Sequence, residues 1–262
     1  MASRVNLSGK LFKMAFIYKI FLLSIFGFAV ASFILLLFVS APYGKFFRKG
    51  WGATLKSKYA WLIMEFPSPA LMAVFYLSGT GDGLMPGLFL FAWLLHYLHR
   101  TFIYPFTQSG RNKPFPAIQV LMAFIFNILN GTVNGYHVFH LAAYTDMWLT
   151  SWQFILGAIL FVAGFLINRT ADKKLRKLRP DGDSEYKIPR GWLFSYISCP
   201  HYFGEIIEWL GWAVMTFSPA GLAFFVFTFA NLFPRALIAH KWYRTTFPDY
   251  PVKRKAIIPF VI

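Results

Sequence analysis

The sequence predicts an all-α, polytopic membrane protein: a bundle of seven transmembrane helices forming one domain. Three observations carry that prediction. Of 262 residues, 57% are hydrophobic and only 14% charged, with 32 phenylalanines and nine tryptophans, an aromatic load that a water-soluble core of this size does not need. Several apolar runs approach the roughly 20 residues that cross a hydrocarbon layer. Lysines and arginines gather on alternate connections between those runs.

The first run, 16–39, follows a basic stretch and ends in Val39-Ser40-Ala41, as a secretory signal would, but its apolar length exceeds a signal core and predicts a retained helix. The second, 59–78, contains Glu65-Phe66-Pro67; the proline frees a backbone carbonyl and predicts a bend beside the carboxyl. The third, 84–106, carries His96-Tyr97-Leu98-His99-Arg100, with His96 and Arg100 one turn apart on a polar face. The fourth and fifth cover 117–139 and 147–168. The sixth, 202–217, opens Pro200-His201-Tyr202-Phe203-Gly204-Glu205-Ile206-Ile207-Glu208-Trp209, which lines His201, Glu205, Glu208 and Trp209 along one side. The seventh, 219–239, contains Arg235 and leads into His240 and Tyr243.

The longest connection lies between the fifth and sixth helices. It starts at Asn168 and Asp172, one turn apart, and continues through Arg176, Arg179, an Asp/Gly turn and Tyr186-Lys187-Ile188-Pro189. Eight lysines and arginines fall between Arg169 and Arg190, whereas the connections around 80–83, 140–146 and Ser218 hold none. The positive-inside rule then predicts a cytoplasmic C terminus and, with an odd number of spans, an N terminus on the opposite side. That orientation applies equally to a bacterial inner membrane and an endoplasmic reticulum. It also accounts for most of the net charge of +16 without nucleic acid as a partner. The basic face suits lipid headgroups or an anionic, phosphate-bearing ligand entering from the cytoplasm.

A single cysteine, Cys199, excludes a disulfide framework and a cysteine-based zinc site, and His201 with Glu205 lacks the further ligands a metal would need. No metal is expected. There is no G-x-G-x-x-G after a strand and no Walker loop, so a nucleotide would sit in a helical, non-Rossmann site. Ionisable groups inside membrane helices are costly unless they face a cavity or a partner, which makes Glu65, His96, Arg100, Glu205 and Glu208 candidates for function. Structural readings stand beside these: Glu65 as the cap of a kink, Arg100 reaching the headgroups, and Glu205 at a favourable helix N-terminus.

Assembled, these residues resemble the steroid 5α-reductase family over about 60–262. Ala60-Trp61 through Glu65-Phe66-Pro67-Ser68 is similar to its first catalytic segment, and His96 through Phe102 with Tyr104 to its second. Asn130-Gly131, Gly135-Tyr136, Leu178-Arg179, Tyr186 through Pro189, Gly204 through Trp209, Asp249-Tyr250-Pro251 and Arg254 through Phe260 follow in register. The resemblance implies a seven-helix reductase with cytoplasmic cofactor-binding loops that takes NADPH and saturates the double bond of a 3-oxo-Δ4 steroid. It assigns Glu65 and Tyr97 to the substrate carbonyl and Trp61 to the apolar cavity. Around the cofactor it implies Arg111, Asn168, Asp172, Arg179, Tyr186, His201, Glu205, Arg235 and Tyr243, although His201 and Ala239 depart from the family pattern, as do Met64 beside the glutamate and Met122.

Residues 1–110 are expected mainly on the substrate side and 111–262 mainly around the cofactor, with membrane lipids as the surroundings and no obligate protein partner. Competing expectations are reduction of a polyprenol or enoyl thioester, methyl transfer from S-adenosylmethionine as in isoprenylcysteine-type methyltransferases, which Pro200-His201-Tyr202 with Gly204-Glu205 also resembles, and non-enzymatic lipid binding. Hydride addition to an enone drives charge onto the ketone oxygen, which needs a donor already in place. Tyr97 and a neutral Glu65 would supply it.

Overall fold

The computed structural model describes residues 2–79, 81–179 and 185–262, with side chains from residue 13 onward. Thr80 and the turn at 181–183 lie outside the described residues. Apolar runs become helices because a backbone in lipid must satisfy its own hydrogen bonds. Nine α-helices are described: α1 (Ala2–Phe38), α2 (Ser57–Glu65), α3 (Pro67–Ser78), α4 (Leu84–Leu98), α5 (Tyr104–Thr107), α6 (Ala117–Tyr136), α7 (Trp152–Leu178), α8 (Pro200–Thr216) and α9 (Pro219–Thr246).

Among the described residues, five spans are long and apolar enough to cross a membrane: Lys13–Phe38, Ser57–Ser78, Ala117–Leu141, Trp152–Leu178 and Pro219–Thr246. The other two expected crossings are shorter. α4 is 15 residues, but its helical backbone runs on through a π-helical turn (His99–Ile103) into α5, and α8 is 17 residues, about 25 Å at 1.5 Å per residue. The chain is therefore an all-α polytopic membrane protein. Outward-facing Phe38, Leu77, Phe91, Ile159 and Leu166 form its lipid-facing surface.

Two boundaries differ from the sequence expectation for physical reasons. The fifth helix begins at Trp152, capped by Ser151 Oγ accepting from the Phe154 amide at 3.2 Å, and continues past Asn168 to Leu178. Its basic last turns carry no apolar signal, so the hydropathy run ended early. Asn168, Asp172 and Arg176 are thus on a rigid helix rather than in a connection. The second helix breaks at Phe66, because Pro67 and Pro69 cannot donate backbone hydrogen bonds, leaving Glu65 at the last turn of α2.

Two three-residue strands, β1 (Thr54–Lys56) and β2 (Pro114–Pro116), pair antiparallel with Leu55 opposite Phe115. They tie the segment after α1 to the segment before α6. The core is aromatic: Phe89, Trp93, Tyr97, Phe161, Trp209, Trp212 and Phe224 pack together, with Trp93 stacked on Tyr97 at 5.0 Å and Trp209 beside Phe224 at 4.2 Å. The C-terminal tail folds back on the start of α8, where the Ser198 amide donates to the Lys255 carbonyl at 2.9 Å and the Cys199 amide to Ala256 at 3.1 Å.

Candidate functional site

α7 and α8 lie so close that small residues decide their contact. A Cβ on Gly164 would overlap the Glu208 backbone amide, and one on Gly204 would come within 2.5 Å of the Asn168 amide. Their absence lets Asn168 Nδ2 reach both the His201 carbonyl (2.9 Å) and Glu205 Oε2 (3.2 Å). Arg100 Nη2 approaches the same carboxyl oxygen at 3.8 Å, with its guanidinium over Trp61 (4.4 Å) and Tyr104 (4.7 Å). A carboxylate held by an amide and a guanidinium, against two rings, forms the inner wall of a cavity.

That cavity adjoins a second one, and the two share Tyr43, Trp61, Tyr104, Gln108, Arg179, His201, Tyr202 and Arg235. Asn168, Asp172 and Glu205 line the inner cavity; Lys45, Lys113, Tyr186 and Tyr243 line the outer one. The outer end is cationic and aromatic. Arg179 lies over the Tyr186 ring at 4.1 Å, and Lys45 over Trp242 (4.2 Å) and Tyr243 (4.4 Å). Burial pushes Lys45 down to about 8, with Arg179 adding to the fall; burial pushes the neighbouring Cys199 thiol up to about 12, so it stays protonated.

Of the expected cofactor residues, Asn168, Asp172, Arg179, Tyr186, His201, Glu205, Arg235 and Tyr243 converge on these cavities. Arg111 does not line them; its guanidinium donates to the Phe106 carbonyl at 2.9 Å. Trp61 lines both cavities, whereas Glu65 and Tyr97 lie outside their walls. Glu65 is half-buried at the end of α2 and Tyr97 is buried against Trp93 and Trp209. Glu208, grouped with Glu205 by helical spacing, turns instead into the core, where its Oε1 meets His96 Nδ1 at 2.8 Å.

Sequence reasoning missed Lys45, Tyr43 and Gln108. The 40–56 segment looked like a plain basic connection, and only the Tyr43-Gly44-Lys45 cluster of ring, glycine and cation marked it. His240 turns away from the cavities: its Nδ1 meets Ser198 Oγ at 2.6 Å, and that hydroxyl also meets Tyr250 Oη at 2.6 Å. Tyr250 then stacks nearly parallel on Tyr243 at 5.3 Å, so the tail braces a ring of the cavity wall.

The residues present fit a dinucleotide. Asp172 Oδ2, His201 Nδ1 and Gln108 Nε2 are buried polar atoms without hydrogen-bond partners, and all three belong to residues lining the cavities. A ligand rich in hydroxyls and phosphates satisfies such atoms, while cations and stacked rings receive its charged and planar parts. Among the described residues, no group of three or more metal-ligating side chains is present.

Residues 113–262 match the family model described as 3-oxo-5-alpha-steroid 4-dehydrogenase. The chain is 45% identical over 237 residues to steroid 5-alpha-reductase DET2 of Arabidopsis thaliana, covering 87% of this chain and 90% of that protein. It is 42% identical to 3-oxo-5-alpha-steroid 4-dehydrogenase 1 of Bos taurus (89% and 92% covered) and 41% identical to 3-oxo-5-alpha-steroid 4-dehydrogenase 2 of Homo sapiens (88% and 93%). With a half-chain family match and relatives well above 30% identity along nearly its whole length, the chain belongs to the 3-oxo-5-alpha-steroid 4-dehydrogenase family, the steroid 5α-reductases.

Proposed function

We propose that this protein reduces the Δ4 double bond of a 3-oxo-Δ4 steroid to the 5α-dihydrosteroid, drawing its reducing equivalent from NADPH bound at the cytoplasmic side. The observation that carries this reading is the convergence of Asn168, Asp172, Glu205, Arg179 and Arg235 on two adjoining cationic, aromatic cavities that share Trp61, the residue four before Glu65 on α2. The cofactor, when bound, supplies hydride to the β-carbon of the enone.

Everything else falls to the chain. Asn168 and Arg100 hold the Glu205 carboxyl in the inner wall, where it can accept from hydroxyl or amide groups. Arg179 and Lys45 hold phosphate at the outer end, favouring NADPH over NADH through the extra phosphate. Trp61 and the rings around it exclude water from the reacting region, which strengthens every polar contact there. Tyr97 and a neutral Glu65 donate hydrogen bonds to the ketone oxygen, so charge arriving on that oxygen meets two donors, and the α-carbon then takes its proton from water as the ketone re-forms.

Replacing Tyr97 with Phe should leave NADPH binding intact while turnover falls about 10²- to 10³-fold, the typical loss when one donor to a developing oxyanion is removed. Equal turnover in the variant would remove Tyr97 from the chemistry. The Lys and Arg charges at the outer cavity also weigh against S-adenosylmethionine, a cationic cofactor, and binding of NADPH without S-adenosylmethionine separates the two.

A further inference from the structure

His96 and Glu208 are motif residues that the proposed reaction leaves unused, and both are buried, Glu208 completely. His96 Nδ1 and Glu208 Oε1 are 2.8 Å apart. The other carboxyl oxygen, Oε2, is buried without a hydrogen-bond partner, so this side chain depends for its polar compensation on one imidazole nitrogen. A buried pair of this kind adds little stability over apolar residues of the same shape, and its best-attested use is to fix register.

The register in question is that of α4 against α8. Arg100, in the π-helical turn that continues α4, follows His96 by four residues, and Glu205 precedes Glu208 by three. His96 meets Glu208 and Arg100 approaches Glu205 at 3.8 Å, so the two helices, numbered in opposite directions, are joined by two rungs. The inner rung lies in the aromatic core, and the outer one lines the inner cavity. At Glu208 the α8 backbone is itself fixed by α7, because Gly164 packs directly on the Glu208 amide.

Tyr97 adjoins the inner rung. Its ring stacks on Trp93 at 5.0 Å, meets the His96 ring edge-on at 5.0 Å and lies 5.7 Å from Trp209, which is 4.7 Å from His96. The phenol thus sits in a cage of three rings. His96 is one member of the rung and Trp209 follows the other, so two sides of the cage move with it.

We infer that Glu208, acting through His96, is a positioning residue: the rung between them fixes the depth at which Tyr97 stands relative to the cavity wall that carries Glu205, and so aligns the ketone donor with the bound cofactor. The inference rests on the reading of Tyr97 as a donor to the ketone and of the cavities as the cofactor site. What the role needs is a hydrogen bond in one place, which an amide supplies as well as a carboxyl.

The test uses the full-length, detergent-solubilised protein with NADPH and progesterone, with kcat expressed per NADPH-binding site. Replacing the pair together, His96→Leu with Glu208→Leu, removes the rung without leaving an unpaired buried group and should keep the melting temperature within a few degrees of the parent. It should nevertheless lower kcat about 10²-fold, the scale of loss that an ångström of misplacement causes, with the dissociation constant for NADPH within about threefold. Glu208→Gln should keep kcat within about threefold, and the paired replacement should cost less than about threefold more once Tyr97→Phe is present. Full kcat in the paired replacement, a fall in Glu208→Gln equal to it, or the same 10²-fold loss on top of Tyr97→Phe overturns the positioning role. Should the paired replacement not fold, His96→Asn, whose amide takes the place of Nδ1, should retain kcat and His96→Gln, whose amide reaches the place of Nε2, should lose it; equal kcat in the two overturns the role. Full turnover in Tyr97→Phe would overturn the reading of the site itself, whereas loss in Tyr97→Phe with full kcat in the paired replacement overturns the rung alone.

Discussion

Lys45 shows how a single residue can carry a measurable signature of the site. A lysine taken out of water loses hydration of its charged form, and here burial lowers it to about 8. Only the ammonium form attracts phosphate. Cofactor affinity should therefore be flat below about pH 8 and fall as pH rises through that value, because the free protein must take up a proton to bind. Dissociation constants for NADPH measured from pH 7 to pH 10 check this. Lys45→Ala should weaken binding about tenfold at pH 7 and flatten the profile, by loss of a charge-assisted contact. The same variant should narrow the preference for NADPH over NADH. An unchanged pH profile in Lys45→Ala would assign the titration elsewhere.

The inner cavity wall is built at the scale of the element, in the contact between α7 and α8. Gly164 and Gly204 bring the two backbones together, and that closeness is what allows Asn168 to span from the His201 carbonyl to Glu205. Gly164→Ala forces the helices apart, and overpacking of this kind costs about 1–3 kcal/mol. A melting temperature lowered by several degrees together with weaker NADPH binding is the expected outcome, read by thermal shift with and without cofactor. Loss of stability with unchanged cofactor affinity would show that the spacing serves packing alone. These glycines were visible in the sequence, but their purpose was not: small residues in a membrane helix mark a close neighbour without naming it. The prolines after Glu65 were different. A missing backbone donor interrupts a helix wherever it sits, so the interruption at Phe66 was readable from the residues. Glu208 was not, because helical spacing places it beside Glu205 while only the packing of α4 against α8 decides that it meets His96.

For the molecule as a whole, hydropathy made the membrane bundle legible, and the family resemblance pointed to most of the residues that line the cavities. Lipid imposes a simple rule on apolar length, and eight of the nine expected cofactor residues do line the cavities. What stayed hidden depended on long-range contact: the Tyr43 to Lys45 loop folding over the outer cavity, and the paired strands that hold 54–56 against 114–116. Orientation is also a whole-molecule property. With Cys199 buried, single cysteines at Asp82 and Lys253, both exposed, report the two faces. In sealed vesicles, Lys253→Cys should react with an impermeant maleimide only from the cytoplasmic side and Asp82→Cys only from the other. Labelling of both from one side would refute the proposed topology.

The central claim is hydride reduction of a steroid enone. The most direct test is NADPH oxidation by the purified, detergent-solubilised protein with progesterone or testosterone, with the configuration at C5 determined by mass spectrometry against standards. The account predicts one dihydrosteroid per NADPH, all of it 5α; tight NADPH binding with no turnover of either steroid would contradict it.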